Sequence, residues 1–500
     1  MMRSRTGLPA LILLLAAGCA VGPDYEKPSA PVSVAFKEQA GWKPSDPRDA
    51  IDRGAWWSVF KEPTLDALER KIDISNQNLK ASEAAYRQAR AAVDQARAAF
   101  LPTIGGTGSA TRSHSGLGRA GGLSFGSATE NTYAVSVGAS WEPDIWGSIR
   151  RTVESDVATA QVSAAELADA RLSAQATLAI DYFELRYQDE LKRLLDTTIE
   201  EFKHSLAITQ NQYAVGVAAK ADVLSAQTQL LNAQAQDLNS GVLRSTLEHA
   251  IAVLVGAPPG DFSIPSGQFT TNVPVAPTGL PSELLERRPD IAAAERTMAA
   301  ANAKIGVAIA AYFPNLTLTP SYGYSGTSLT HLISSPNAVW SLGASLADTI
   351  FDAGSRSAQV EQARAAYDQD VALYRQTVLA ALQQVEDELA TLRILEQQNA
   401  VENEVVKTAK EATRLTLNQY KAGTVPYSSV ITAQTTELTN EETALAVTES
   451  RLVASATLIE AVGGGWEASL IPKRDQVEDD AAFLHVIPVT SDHPTSSDQK

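Results

Sequence analysis

The sequence predicts an α+β membrane protein in which short strands contribute to a β-barrel, very long helices form coiled coils, and the whole is an internal tandem repeat. Three observations predict it. Two proline-free stretches, Ser148 to Tyr213 and about Ser355 to Tyr420, carry coiled-coil spacing; separate short segments alternate apolar with small polar residues; and both textures occur twice in the same order.

The first element is an export leader. Arg3 and Arg5 form a positive region, Leu8 to Leu15 an apolar run, and Ala16, Ala17 and Gly18 the small residues of a cleavage site. The run is too short to span a bilayer as a helix. Leu15-Ala16-Ala17-Gly18-Cys19 resembles a bacterial lipobox, in which cleavage leaves the cysteine as the acylated first residue of the mature chain. Cys19 is the single cysteine of 500 residues, so an intramolecular disulfide and a multi-cysteine metal site are both excluded. By the sorting rule of such lipoproteins, Ala20 in place of aspartate directs the chain to the outer membrane.

Composition narrows the rest. The chain is 44% hydrophobic but 6% aromatic, which favours closely packed alanine-rich helices over a bulky core. Its net charge of −17 becomes −19 once the two leader arginines are lost and the new terminus is acylated, a poor basis for binding nucleic acid.

In the first long stretch the 3-4 spacing runs from Val153 through Val157, Ala160, Ala164 and Leu167 to Leu206 and Tyr213, and most positions on it are apolar. That is a coiled-coil seam, about 100 Å long at 1.5 Å per residue. Each long helix is followed by a glycine-containing break, Ala214 to Ala219 or Lys421 to Pro426, and a second helix, about Lys220 to Val255 or Tyr427 to Val462. The strand-like segments are Thr132 to Trp141, Leu316 to Tyr324 and Trp340 to Leu346, with Thr103 to Thr111 a Gly-rich and weakly patterned fourth. No later apolar run reaches the 20 or so residues of a spanning helix, so a crossing must use strands.

The repeat is visible directly. NQYAVGVAAKADVLSAQTQL from Asn211 is echoed by NQYKAGTVPYSSVITAQTTEL from Asn418, ARAAFLPTI by AIAAYFPNL, and DIWGSIR by IFDAGSR. Four strands cannot close a barrel and lipid tolerates no open edge, so several copies must join. Two copies give eight strands and a filled interior; three give twelve, and the small inward residues argue for the wider barrel.

The start Cys19-Ala-Val-Gly-Pro-Asp-Tyr25 with Pro28, the two NQYxxG repeats and the order of elements resemble the TolC-like outer membrane factors, specifically the NodT-like lipoprotein branch of tripartite RND-type efflux systems. The resemblance runs from Cys19 to about Gly465. It implies a homotrimer: a trimeric 12-stranded β-barrel, four strands per chain, continued by a long periplasmic α-helical coiled-coil barrel with an equatorial belt. It also implies an exit duct for small molecules such as drugs or toxic compounds, a periplasmic adaptor (membrane fusion) protein and an inner-membrane pump of the RND type as partners, and no cofactor beyond the lipid on Cys19. The corresponding division is a leader at 1–18, a lipid-anchored equatorial segment at 19–64, a first repeat at 65–256 with its strand pair in 103–143, a linker at 257–289, a second repeat at 290–462 with its strand pair in 315–348, and an acidic tail at 463–500.

Carried over residue by residue, the turns Val215-Gly216 and Ala422-Gly423 are the adaptor-contacting tips, and Asp222 and Tyr420 the closing hydrogen-bond pair of the periplasmic gate. At the constriction Ser429 and Thr432 stand where aspartates are usual, so a weakly charged gate is expected. The residues themselves show no HExxH, GxSxG or P-loop, and the six histidines lack paired metal spacing. Neither an enzyme nor a metal site is expected. Glu386, Asp387 and Glu388 read as a solvated helix face. The alternatives are a duct for type I protein secretion and, in another class, a non-conducting coiled-coil adaptor or structural lipoprotein.

Overall fold

A computed structural model describes residues 20–33, 35–39, 55–115, 118–120, 123–125, 128–274 and 284–478. The leader, Cys19 and the tail from residue 479 lie outside the described residues.

Seven helices of more than one or two turns order the described chain: α1 Pro63–Ser75, α2 Gln77–Ala98, α3 Ser148–Ala214, α4 Lys220–Leu254, α5 Pro289–Ala310, α6 Ser355–Lys421 and α7 Tyr427–Ala461. The strands are β1 Thr103–Ser115, β2 Gly118–Ala120, β3 Leu123–Phe125, β4 Ala128–Ser140, β5 Asn315–Gly326 and β6 Ala338–Ala347. Helices α3 and α6 are 67 residues each, and α4 and α7 are 35 each. The boundaries of α3 and α4 recur in α6 and α7 at one constant offset, that of the sequence repeat.

The DIWGSIR and IFDAGSR motifs start the long helices. Asp144 accepts the backbone N–H groups of Ile149 and Arg150 at 3.0 Å each, and its Oδ2 also takes Arg150 Nε at 3.0 Å. Asp352 likewise accepts Gly354 and Arg356 N–H at 3.1 Å and Arg356 Nε at 2.8 Å. A carboxylate on the free N–H groups of a helix start satisfies donors that have no helical partner and complements the dipole.

Strands β1, β4, β5 and β6 form one antiparallel sheet in that order, and β2 with β3 extends the first hairpin. The β1–β4 ladder is continuous from Thr103↔Ser140 to Ser115↔Ala128. β1 is thus longer than its pattern suggests: Gly106 and Gly108 leave gaps in its apolar face, and the partner strand supplies the register. On one face lie Tyr133, Val135, Val137, Tyr322, Tyr324, Trp340, Leu342 and Leu346, with Trp340 and Leu342 76% and 77% exposed. The other face presents serine, threonine and glycine. Among the described residues β1 and β6 each pair on one side only.

A second group of aromatics is buried among the helices, away from the sheet. Trp56, Phe60, Tyr182, Phe183 and Tyr374 are fully buried with Leu65, Ile72, Leu178, Leu185, Ile251, Leu452 and Leu458, and Phe60 and Phe183 meet at 4.7 Å. This core ties α1 and the Trp56–Phe60 turn to both repeats. Elsewhere alanine lets the helices approach closely. Among the described residues no helix is long and apolar enough to cross a membrane.

Candidate conduit wall, helix tips and N-terminal strap

The hydroxyl face of the sheet is knitted laterally. Thr107 and Ser136 oxygens lie 2.9 Å apart, as directly opposite cross-strand partners, and Ser321 and Ser341 oxygens 2.8 Å. A wall of short hydroxyls and glycines leaves room for water and offers no fixed charge over these registers. At the helix-facing end, Trp141 Nε1 donates to the Phe100 carbonyl at 2.9 Å, and Trp146 stacks on Phe313 at 4.6 Å while its Nε1 donates to the Pro314 carbonyl. Tryptophans at this level are what a membrane–water boundary selects.

At the other end the chain reverses twice. Gly216 has φ +76° and Gly423 φ +74°, with nothing within 4 Å of where a Cβ would sit, so it is the left-handed backbone that requires glycine. Val217 N–H donates to the Gln212 carbonyl and Thr424 N–H to the Gln419 carbonyl, the 6→1 closure of a helix end. Val215 and Val217 are 74% and 73% exposed, and Ala422 is exposed too. Two unpartnered valines at one turn make the first tip the more apolar of the two.

Tyr420 is buried beside the tip, its ring 5.1 Å from that of Tyr427, in a cluster with Ala226 and Val430. Among the described residues its hydroxyl makes no well-formed hydrogen bond, although the Thr209 hydroxyl lies close enough to lower its pKa. Asp222 Oδ2 instead accepts the Ala219 N–H at 3.2 Å, at the start of its own helix. The structure therefore brings Asp222 and Tyr420 together electrostatically without the phenol–carboxylate bond. Burial pushes the Tyr420 phenol up and the Asp222 charge adds to this; Tyr427 is pushed up to about 12, again chiefly by burial. Ser429 is half-buried, while Thr432 is exposed and donates to the Ser428 carbonyl. Sequence reasoning missed Tyr427, although it directly follows the helix-starting Pro426.

The VGPDY segment is a strap across the barrel end of the helices. Val21 N–H donates to the Trp146 carbonyl, and Arg151, with a side chain 5% exposed, reaches the Val21 and Gly22 carbonyls and pairs with Asp24 at 2.8 Å. Asn302 donates to the Pro23 carbonyl, and Tyr25 donates to Glu295 at 2.6 Å. Gly22, at φ +98°, would place a Cβ 2.5 Å from Gly306 Cα, so the strap lies directly on α5. Ala20 touches Gly147 at the start of α3, at the sheet end of the helices.

Two polar features were not legible. Asp189, 3% exposed, binds Arg186 at 2.8 Å, Arg244 at 2.7 Å and the Gly267 N–H at 3.0 Å, while Arg186 and Arg244 also hold the Pro265 and Ile264 carbonyls. This fastens the connector after α4 to both helices. Glu386 accepts the Lys37 and Glu38 N–H groups at 2.7 and 3.0 Å, so it caps the turn at Lys37–Gln39 instead of facing water alone. Glu388 is held partly out of solvent, and burial pushes its carboxyl up.

A lipid-facing sheet with a hydroxyl inner face, running into paired helices about 100 Å long, defines the class: an outer-membrane β-barrel channel with an α-helical extension. The sequence model of the family described as outer membrane efflux protein matches residues 70–257 and 280–464, and the chain belongs to that family. The solvent efflux pump outer membrane protein SrpC of Pseudomonas putida is 30% identical over 473 residues, 92% of this chain and 98% of that one. The probable outer membrane lipoprotein SilC of Salmonella typhimurium is 27% identical, over 91% and 97% of the two chains. Among solved structures, the outer-membrane channel OprN superposes with a TM-score of 0.84 at 28% identity, covering 90% of this chain and all of that one.

Proposed function

We propose that the protein is the outer-membrane channel of a tripartite efflux pump, a passive exit duct for small molecules driven from the inner membrane. The observation that carries this is the four-stranded sheet itself. It is apolar outside, hydroxylated inside, open at both edges, and continuous with the long helices. Lipid does not tolerate open edges, so three copies close a barrel of about twelve strands, wide enough for solute. The helices carry the matching signal: Leu224, Leu231 and Leu238 on α4, and Leu373, Ile394, Val401 and Leu415 on α6, keep heptad spacing yet are 47–74% exposed in the single chain. We assign these faces to neighbouring copies. Reconstituted heat-modifiable trimers should conduct ions in a planar bilayer; a monomer without conductance would overturn the reading.

In this reading residues 65–256 and 290–462 are the two repeats, joined by the 257–289 linker. The tips Val215-Gly216 and Ala422-Gly423 receive the periplasmic adaptor, and an inner-membrane pump, of the RND type in the resemblance, supplies the energy. The roles of the relatives, solvent efflux for SrpC among them, support an export duct. Cys19 carries the lipid, and the strap delivers it to the barrel rim. Since the strands already hold the protein in the bilayer, Cys19→Ala should impair sorting or assembly more than conduction. A Cys19→Ala trimer that failed to conduct would contradict this.

Asp222, Tyr420, Ser429 and Thr432 form the gate, held by little charge. The Tyr420 hydroxyl makes no well-formed hydrogen bond among the described residues of the single chain, so the bond assigned to it is one to a neighbouring helix pair of the assembled gate. One such bond is worth about 1 kcal/mol, and Tyr420→Phe should raise open probability by no more than about fivefold. No change in either Tyr420→Phe or Asp222→Ala would remove both residues from the gate.

A further inference from the structure

The two repeats of one chain meet at the β4–β5 ladder, whereas β1 and β6 are each left with a free edge among the described residues. Two sequence matches relate these places. ARAAFLPTI and AIAAYFPNL set Pro102 against Pro314, so Gly106 stands for Leu318, Ala110 for Tyr322 and Thr111 for Gly323. Gly138-Ala139-Ser140 recurs as Gly343-Ala344-Ser345, so Leu342 stands for Val137, Leu346 for Trp141 and Ser341 for Ser136. Within the chain Val137 lies opposite Tyr322, Trp141 opposite Leu318 and Ser136 opposite Gly323. Carried to the free edges, these pairs become Leu342 opposite Ala110, Leu346 opposite Gly106 and Ser341 opposite Thr111. The faces agree. Gly106 and Ala110 lie opposite Val137 and Tyr133, on the lipid-facing side that also holds Leu342 and Leu346. A frame one residue off would turn every apolar side chain onto the hydroxyl face.

The junction between sheet and helices is incomplete in the same way. Counting on from the strands, Ile350 and Phe351 stand for Ile145 and Trp146, after which the second repeat adds Asp352 and Ala353 before Gly354, the counterpart of Gly147. Trp146 is half-buried because its stacking partner Phe313 belongs to the same chain. Ile350 and Phe351 are 95% and 84% exposed, and Leu101, which stands for Phe313, is 52% exposed at the opposite edge. Each of these apolar patches lacks what its counterpart has, and a second copy supplies it. We propose that the boundary between copies repeats the boundary between the halves of one chain: β6 pairs antiparallel with β1 of the next copy, Leu342 opposite Ala110 and Leu346 opposite Gly106, while Phe351 rests on Leu101 of that copy. This rests on the channel reading and adds the register of the subunit seam to it. Such a contact is head-to-tail, so it closes as a ring. It also sets Trp340 opposite Arg112 of the next copy, as Val135 lies opposite Tyr324 within the chain. Both face lipid, where the indole can shield the guanidinium.

The test uses the full-length protein assembled in membranes. Trp141 and Leu318 exchange both backbone hydrogen bonds, and Ser136 opposite Gly323 lies an odd number of residues away, so it is a pair without them. Its counterpart, Thr111→Cys with Ser341→Cys, therefore brings two thiols within disulfide range, whereas Ser109→Cys or Ser113→Cys combined with Ser341→Cys is displaced along the strand and does not. On oxidation the first pair should link copies into dimers and trimers on a denaturing gel without reductant, at least about fivefold more than either displaced pair. The parent protein taken through the same oxidation reports any bond through Cys19. In a second measurement, Phe351→Ala and Leu101→Ala should each lower the temperature at which trimers separate. The double variant should fall little further than the worse single one, because both changes remove the same contact. Strongest linking at position 109 or 113, or additive shifts for Phe351 and Leu101, overturns the proposal. Conductance is recorded on each reduced sample. Trimers that conduct but link in another frame, or not at all, refute the register and leave the channel reading standing, and a protein with neither trimers nor conductance overturns both.

Discussion

Asp189→Ala is expected to lower the apparent unfolding midpoint of the assembled protein by about 5–10 °C. The carboxylate is 3% exposed and takes Arg186, Arg244 and the Gly267 N–H at 2.7–3.0 Å. Removing it leaves two guanidinium groups facing each other, one of them almost fully buried, and truncating one member of such a network costs about 3–5 kcal/mol. It also frees the connector, whose Pro265 and Ile264 carbonyls are held by the same arginines. Asp189→Asn keeps acceptor geometry without charge and should lie between alanine and the parent. The measurement is the temperature at which trimers convert to monomers on a gel, checked by circular dichroism. An alanine variant with the parent's midpoint would show that the arginines are satisfied by the carbonyls alone.

The second large effect is on pH dependence. Glu69 on α1 is wholly buried, neither carboxyl oxygen has a hydrogen-bond partner among the described residues, and burial, with Asp73 and Asp66 adding like charge, pushes its pKa up to about 9. Folded, the group keeps a proton that the unfolded chain releases in the ordinary carboxylate range. Stability is therefore full below that range and is lost progressively as pH rises towards 9, a cost on the order of 3 kcal/mol at pH 7. Burial also raises Glu460 to about 7 and Asp181 to about 6, with the same sign. Glu69→Gln, neutral at every pH, should raise the midpoint at pH 8 by several degrees and leave it nearly unchanged at pH 4.5. Parallel pH curves for parent and variant would mean that Glu69 is ionised in the folded protein.

How much of this was legible depends on the range of the interaction. The helices α3 and α6 and the strands β4, β5 and β6 were readable because their periodicities, near 3.5 and 2, are local properties of the chain. The tips were readable too, since Gly216 and Gly423 mark a backbone conformation that few other residues adopt. β1 was only half readable: its outer face is interrupted by Gly106 and Gly108, and β4 decides its length. Asp189 and Glu386 could not be read. On a helix a carboxylate looks the same in sequence whether it faces water or a connector folded back from far along the chain.

The sequence by itself determined the two long coiled-coil helices, the tandem repeat and the need for several copies, because length, period and lipid's intolerance of open strand edges follow from the chain alone. The tertiary structure alone decided where VGPDY lies, with Arg151 and Gly306 as its bed, and it set the Tyr420 phenol in a buried cluster beside Tyr427. It also turned the C-terminal segment back along α3 towards the membrane. Each of these is a contact between residues far apart in sequence. Its free energy depends on which surfaces meet and how fully they exclude water, and no local pattern records that.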